Sequence, residues 1–104
     1  GKWGGDFVVW GAGRDGKDFI KELRGDILKR VKFIVDVDEK KIKNGYHHRD
    51  RNIHIEVKHF SALREEFKEL PVVVCVAMYR TGGKLEENVK SIGRREGVDL
   101  WHFN

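Results

Sequence analysis

Disulfide-forming cysteines, prolines and long apolar runs are scarce in this sequence. Its 104 residues include one cysteine and one proline. One cysteine cannot form an internal disulfide, so nothing indicates an oxidising compartment, and the cytoplasm is the favoured location. No apolar run reaches the roughly 18 residues that a membrane-spanning helix needs, and the first residues carry no signal-peptide pattern. The sequence therefore predicts a globular domain without a membrane segment.

The single cysteine, Cys75, lies inside the apolar run 72–76. Free cysteine buries readily, whereas a reactive thiol needs an accessible and electropositive setting. We therefore expect Cys75 to be an inert buried thiol and not a nucleophile.

Charge of one sign is not concentrated in any part of the chain. There are 21 Lys and Arg residues against 17 Asp and Glu residues, which gives a formal net charge of +4. Acidic residues interleave with most of the basic ones, which include the neighbours Arg94 and Arg95. A nucleic-acid interface needs Lys and Arg clustered on one face. We therefore expect a solvated ionic surface and no nucleic-acid partner.

The length suits one domain with its own core and leaves no room for a second. Residues 1–5 are glycine-rich and are predicted to be a linker or an expression remnant, and residues 6–104 to be the domain. Hydrophobic patterning predicts strands over 7–10, 31–36, 53–57, 72–78 and 100–103, and helices over 14–24 (restarting or running on to 28), 38–45, 62–70 and 84–95. The polar stretch 46–52 is predicted to be a loop.

Strands that alternate with helices of about ten residues imply right-handed crossovers and a parallel sheet. We therefore predict an α/β fold, a single Rossmann-like three-layer domain with helices on both faces. Its parallel sheet has about five strands in the order 3-2-1-4-5. The continuous apolar run 7–10 suits a central strand that is covered on both faces.

The most informative motif is a glycine turn between the first predicted strand and the first helix. Gly11, Gly13 and Gly16 have the spacing G-x-G-x-x-G. In such a turn the first glycine allows the tight reversal and the second lets a pyrophosphate approach the backbone. The third lets the helix pack close to the sheet. Strand, turn and helix in this order are the context in which the spacing predicts a nucleotide site.

The residues around these glycines complete the predicted site. The free amides of the first helical turn, contributed by residues such as Ala12 and Arg14, favour an anion. Asp36 ends the second predicted strand, where a carboxylate would accept hydrogen bonds from a ribose 2′-hydroxyl and repel a 2′-phosphate. NAD, or another adenine nucleotide, is therefore the expected cofactor if one binds, and NADP is disfavoured.

The same glycines are also needed to pack the turn when no ligand is present. Asp15 lies in the first helical turn, where its carboxylate would satisfy the free amides itself and repel a phosphate. Arg14 would offset this charge or only pair with Asp18. Two hypotheses therefore stay open at this point: the turn is a real nucleotide site, or it is a scaffold that binds a nucleotide weakly or not at all.

Other candidate chemistry is weaker. Thr81, with Gly82, Gly83 and Lys84, follows the fourth strand and could contact the distal end of the ligand, because open α/β sheets bind ligands at their carboxyl edge. His47 and His48 are adjacent and lack further ligands at a metal-site spacing, so no metal is expected.

Four segments together resemble a known family. They are Trp-Gly-Ala-Gly-Arg-Asp-Gly-Lys at 10–17, Phe-Ile-Val-Asp-Val-Asp-Glu-Lys-Lys-Ile at 33–42, Thr-Gly-Gly at 81–83 and Glu-Gly-Val-Asp-Leu-Trp-His-Phe at 96–103. In order and spacing the chain resembles the C-terminal Rossmann-like domain of the β-1,3-N-acetylglucosaminyltransferase-like protein 1 family. The amino-terminal Rossmann domain of sugar acyltransferases is similar in its glycine loop.

The resemblance implies that a family 2 glycosyltransferase domain lies upstream as a partner and carries the sugar-nucleotide and metal sites. This domain would then be a non-catalytic accessory module that could bind a nucleotide through the glycine turn. The alternative is an independent NAD- or nucleotide-binding domain. A small oxidoreductase is disfavoured, because it needs a substrate domain or a catalytic acid over the nicotinamide, and neither is visible.

Overall fold

The computed structural model describes residues 5–48, 53–76 and 84–103. Its strands are β1 (Phe7–Trp10), β2 (Val31–Asp36), β3 (Tyr46–His48), β4 (Ile53–Ile55), β5 (Val57–His59), β6 (Val72–Val74) and β7 (Leu100–His102). Its helices are α1 (Arg14–Glu22), α2 (Gly25–Leu28), α3 (Glu39–Asn44), α4 (Ala62–Glu65) and α5 (Lys84–Ser91).

Five strands form one parallel sheet in the order β5-β2-β1-β6-β7. This arrangement confirms the predicted single α/β Rossmann-like domain and its 3-2-1-4-5 strand order. The apolar strand β1 lies in the centre and pairs with β2 on one side and β6 on the other. All five strands therefore point their carboxyl ends to the same edge of the sheet, and the glycine turn leaves β1 at that edge.

The sheet separates two hydrophobic clusters, because successive residues of a strand point to opposite faces. On one face Val9 packs with Ile20 of α1. On the other face Val8 packs with Leu63 of α4 and Val89 of α5. Helices thus cover both faces, as the sequence predicts.

The region 46–57 differs from the prediction of a loop followed by one edge strand. Tyr46–His48 is strand β3, and it pairs antiparallel with β4 in a separate two-stranded sheet. Strand β5 begins at Val57 and pairs with β2 in the main sheet. The alternation that indicates β3 is concealed because one of its inward residues is a histidine, His48, which is buried. Residues 49–52 lie outside the described part of the chain.

The helix predicted over 62–70 is a single turn, Ala62–Glu65. The chain then leaves the helical path so that the ring of Phe67 packs on Phe33, with ring centroids 4.8 Å apart. Arg94 binds the backbone carbonyls of this irregular segment. Arg94 was expected on the solvated surface, and that prediction is wrong.

Other elements end earlier than predicted. Helix α1 stops at Glu22 because Leu23 has extended backbone angles, and α2 restarts at Gly25. Helix α5 ends at Ser91, two residues before Gly93, which has a φ of 70°. The strand predicted over 72–78 is assigned only to Val72–Val74, and residues 77 and 78 lie outside the described ranges.

Both ends of α3 lie where the sequence predicts them. The carboxylate of Asp38 accepts a hydrogen bond from the Lys40 amide at 2.9 Å, which caps the helix N-terminus. Gly45 follows the last residue with a φ of 72°, a conformation that favours glycine. The short helix therefore starts and stops where its capping residues require.

Within the described ranges, no helix has both the length and the apolar character that a membrane crossing requires.

Candidate ligand-binding cleft at the carboxyl edge of the sheet

Gly11 and Gly16 are required by the packing of the glycine turn. Gly11 has a φ of 118°, and a Cβ there would lie 2.7 Å from a methyl group of Val76. A Cβ at Gly16 would overlap the carbonyl oxygen of Gly11. The fold alone therefore explains two of the three glycines.

Gly13 is different, because the fold does not require a glycine at this position. Its φ of −86° is ordinary for any residue, and it stands at the N-cap of α1 without a side-chain cap. A Cβ there would meet only the ammonium nitrogen Nζ of Lys41, at 3.3 Å. The missing side chain leaves open space next to a positive charge.

Asp36, at the end of β2, stabilises the glycine turn through hydrogen bonds. Its Oδ2 accepts a hydrogen bond from the Ala12 amide at 2.8 Å. Its Oδ1 accepts from the amides of Val37 at 2.7 Å and Asp38 at 3.0 Å. A carboxylate offers about four acceptor positions. Asp36, which the sequence predicts to bind a ribose, therefore stabilises the turn first of all. Its Oδ2 can accept one more hydrogen bond.

A cleft of about 460 Å³ opens between the glycine turn, the end of β2 and helix α5. Its described lining residues are Trp10, Gly13, Asp36, Val37, Lys41, Val76, Lys84, Leu85 and Asn88. Val37 is 55% exposed, whereas most large apolar side chains of the described residues are buried or half-buried. The lining contains two lysines, one aspartate and several apolar side chains, so it favours an anion that also carries an apolar group.

No known family model matches this chain, and no solved structure matches it. The fold and the cleft are therefore the observations that bear on function.

The structure gives the predicted site residues different places. Gly13, Asp36 and the expected distal residue Lys84 line the cleft. Gly11, Ala12 and Gly16 build the turn beneath it. Arg14 is exposed and Asp15 half-buried, and neither is among the described lining residues. Thr81, Gly82 and Gly83 lie outside the described residues.

Sequence reasoning did not assign the other six lining residues to the site; they are Trp10, Val37, Lys41, Val76, Leu85 and Asn88. A signal for Lys41 existed, since the capping residue Asp38 fixes where α3 starts and so which side its first turn presents. Asn88 stands one helical turn after Lys84, on the same side of α5. Neither residue belongs to the glycine motif, which is why the motif alone did not indicate them.

Cys75 is 1% exposed. Burial, and secondarily the negative charge of Asp15, raises the pKa of its thiol to about 12. The thiol is therefore protonated at neutral pH, when a nucleophile would need to be a thiolate. Cys75 is a core residue, as expected from the sequence.

The histidines near the hairpin do not assemble a metal site in the described structure. His47 and His54 stand opposite each other on β3 and β4. Across residues 5–48, 53–76 and 84–103, no group of three or more His, Cys, Asp and Glu side chains has the arrangement to hold a metal ion.

Proposed function

We propose that this domain is a nucleotide-binding module that carries out no reaction itself and serves a longer glycosyltransferase-like protein. The observation that carries the nucleotide part is Gly13. This glycine is not explained by packing, yet it opens onto a cleft at the carboxyl edge of the sheet, beside the charge of Lys41. Ligands of open α/β folds bind at this edge.

The cleft offers each part of a nucleotide a suitable surface. Phosphate oxygens would approach Gly13 and Lys41, since lysine is a common point charge for phosphates. The remaining acceptor position on Oδ2 of Asp36 would take one ribose hydroxyl. The exposed side chain of Val37 would cover one face of the base.

The non-catalytic part of the proposal rests on the groups that face the cleft. Among the described lining residues the titratable groups are Asp36, Lys41 and Lys84. Asp36 is already engaged by three backbone amides. The proposal that the domain is an accessory part of a glycosyltransferase-like protein rests on the resemblance of the four segments to that family. It requires a glycosyltransferase domain encoded upstream, and a gene without one would leave nucleotide binding as an independent function.

Gly13→Ser separates binding from folding. We expect stability to change by only a few tenths of a kcal/mol, because Gly13 has ordinary backbone angles and serine is a favourable N-cap. The hydroxymethyl group would displace Lys41 Nζ and occupy the phosphate position, so nucleotide affinity should fall at least about tenfold. Thermal unfolding with and without ADP, UDP or NAD measures both effects.

For the unsubstituted chain, a nucleotide at ten times its Kd should stabilise the domain by about 1.4 kcal/mol. This corresponds to a rise of roughly 6 °C in Tm for a domain of this size. Absence of any shift at millimolar concentrations of all three nucleotides would contradict the proposed function. A Gly13→Ser variant that is destabilised by several kcal/mol would instead show that the glycine serves the fold.

A further inference from the structure

The proposed function assigns a role to Lys41 but none to Lys84, the second lysine that lines the cleft. Lys41 comes from α3, beyond the second strand, and Lys84 from the first turn of α5, beyond β6. The two residues are far apart in the sequence and are brought together only by the fold. Their shared position needs an explanation of its own.

Neither lysine has an ion-pair partner within the described part of the chain. Other lysines do: Lys58 is 3.4 Å from Glu56, and Lys90 is 3.6 Å from Glu86. The acidic residue that lines the cleft, Asp36, directs its carboxylate to three backbone amides and not to a lysine. The lining of the cleft thus contains two lysines and one aspartate, whose carboxylate is already hydrogen-bonded.

The positive charge of Lys41 lies beside the glycine turn. Its Nζ lies against the open side of Gly13, 3.3 Å from the site of a Cβ. A phosphate next to Gly13 would touch this ammonium group directly. Lys84 lines the same cleft from α5, so a second phosphate that extends from Gly13 toward α5 would meet it.

The size of the cleft limits what can follow the phosphates. Its volume of about 460 Å³ lies in the lower half of the range for small-molecule pockets, roughly 300–1,000 Å³. That space suits one nucleoside with its phosphates. A dinucleotide would place its second nucleoside outside the described cleft.

We propose that the ligand is a nucleoside diphosphate whose two phosphates lie between Lys41 and Lys84. A terminal phosphate carries close to two negative charges at neutral pH, about −1.5 to −2. The phosphates of a dinucleotide are diesters with one charge each and match two lysines less well. A nucleoside monophosphate has the charge but reaches only one of the two lysines. This inference rests on the proposed function, because it names the ligand class of the same cleft.

The test is calorimetric titration of the 104-residue chain with ADP, UDP, AMP and NAD at low and moderate salt. We expect a diphosphate, ADP or UDP, to bind about tenfold more tightly than AMP and NAD. Lys41→Ala and Lys84→Ala should each weaken diphosphate binding about tenfold and reduce its salt dependence. Their effect on AMP should be confined to Lys41→Ala, because AMP has no second phosphate.

Matched controls lie on the same two helices. Lys43→Ala on α3 and Lys90→Ala on α5 remove exposed ammonium groups that do not line the cleft. Both should keep the diphosphate affinity within about twofold. Circular dichroism confirms that each variant is folded before titration.

The outcomes separate this inference from the proposed function. If NAD binds more tightly than ADP and UDP, or if both lysine variants bind diphosphates like the unsubstituted chain, the diphosphate assignment is wrong while nucleotide binding stands. If none of the four nucleotides binds at millimolar concentration, nucleotide binding itself is wrong.

Discussion

Gly16→Ala should lower the free energy of unfolding by about 3 kcal/mol or more, a large fraction of the roughly 5–15 kcal/mol that is typical of a small domain. The added methyl group would overlap the Gly11 carbonyl oxygen, which is a backbone atom of the same turn. To remove this overlap, α1 would have to move away from the sheet. Such a movement is costly because Ile20 of that helix is fully buried in the core. Urea unfolding monitored by circular dichroism measures the loss.

Gly25→Ala is the matched control. Gly25 is the first residue of the short helix α2, its φ is not positive, and a Cβ there would meet no atom within 4 Å. Alanine costs less backbone entropy than glycine, so this variant should be unchanged or more stable by about 0.5–1 kcal/mol. If Gly16→Ala behaved like Gly25→Ala, the close approach of α1 to the turn would be refuted.

The main sheet was predictable because its signals are local and mutually consistent. The apolar run 7–10 ends at a glycine turn, and an amphipathic helix follows directly. This unit fixes a central strand and the hand of its crossover. Strand β6 is likewise a run of valines, Val72–Val74, after the chain's single proline. The order of the sheet then follows from the alternation of strands and helices.

The parts that were wrongly predicted depend on contacts between distant residues. Strand β3 contains two histidines, and His48 is buried only because the hairpin with β4 turns it inward. The helix over 62–70 has good helical patterning, yet packing of Phe67 on Phe33 shortens it to one turn. Such contacts are not visible in hydrophobic periodicity.

The candidate site was predicted in outline and not in its charges. The motif identified the turn and the carboxylate that faces it. It could not show that Asp36 binds the Ala12 amide, since this pairing joins residues 24 positions apart. It also could not show that Lys41 lies against Gly13. The basis for favouring NAD over NADP therefore weakens, because the repelling carboxylate is engaged and a cation stands beside the turn.

Arg94 is the clearest case of a residue whose role only the tertiary structure reveals. Its guanidinium donates hydrogen bonds to the carbonyl oxygens of Leu63, Phe67 and Leu70, at 3.3, 2.6 and 3.1 Å. A further bond of 3.0 Å reaches the carbonyl of Ile92, near the end of α5. Arg94 therefore joins the segment between α4 and β6 to the end of α5.

Burial lowers the pKa of Arg94 from its usual value, and the nearby Asp99 partly opposes this effect. The side chain nevertheless stays charged at neutral pH, because arginine titrates far above it. Hydrogen bonds from a charged donor are stronger than neutral ones, and the fork of the guanidinium places several donors at once.

Arg94→Ala should lower the free energy of unfolding by about 2–4 kcal/mol, because it leaves several partly buried carbonyl groups without a donor. Arg94→Lys should recover only part of the loss, since one ammonium group cannot reach all four carbonyls. The control is Arg95→Ala, which removes the neighbouring exposed side chain and keeps the hydrogen bond that the Arg95 amide donates to Oδ1 of Asp99. That variant should stay within about 0.5 kcal/mol of the unsubstituted protein.

The comparison in urea distinguishes a bonded guanidinium from a mere positive charge. If charge alone mattered, Arg94→Lys would match the unsubstituted protein, and Arg95→Ala would cost as much as Arg94→Ala. If the fork holds the irregular segment against α5, stability should decrease from Arg95→Ala to Arg94→Lys to Arg94→Ala. Hydrogen exchange should then show the segment from Leu63 to Leu70 opening more readily in the two Arg94 variants, because its carbonyls have lost their common donor.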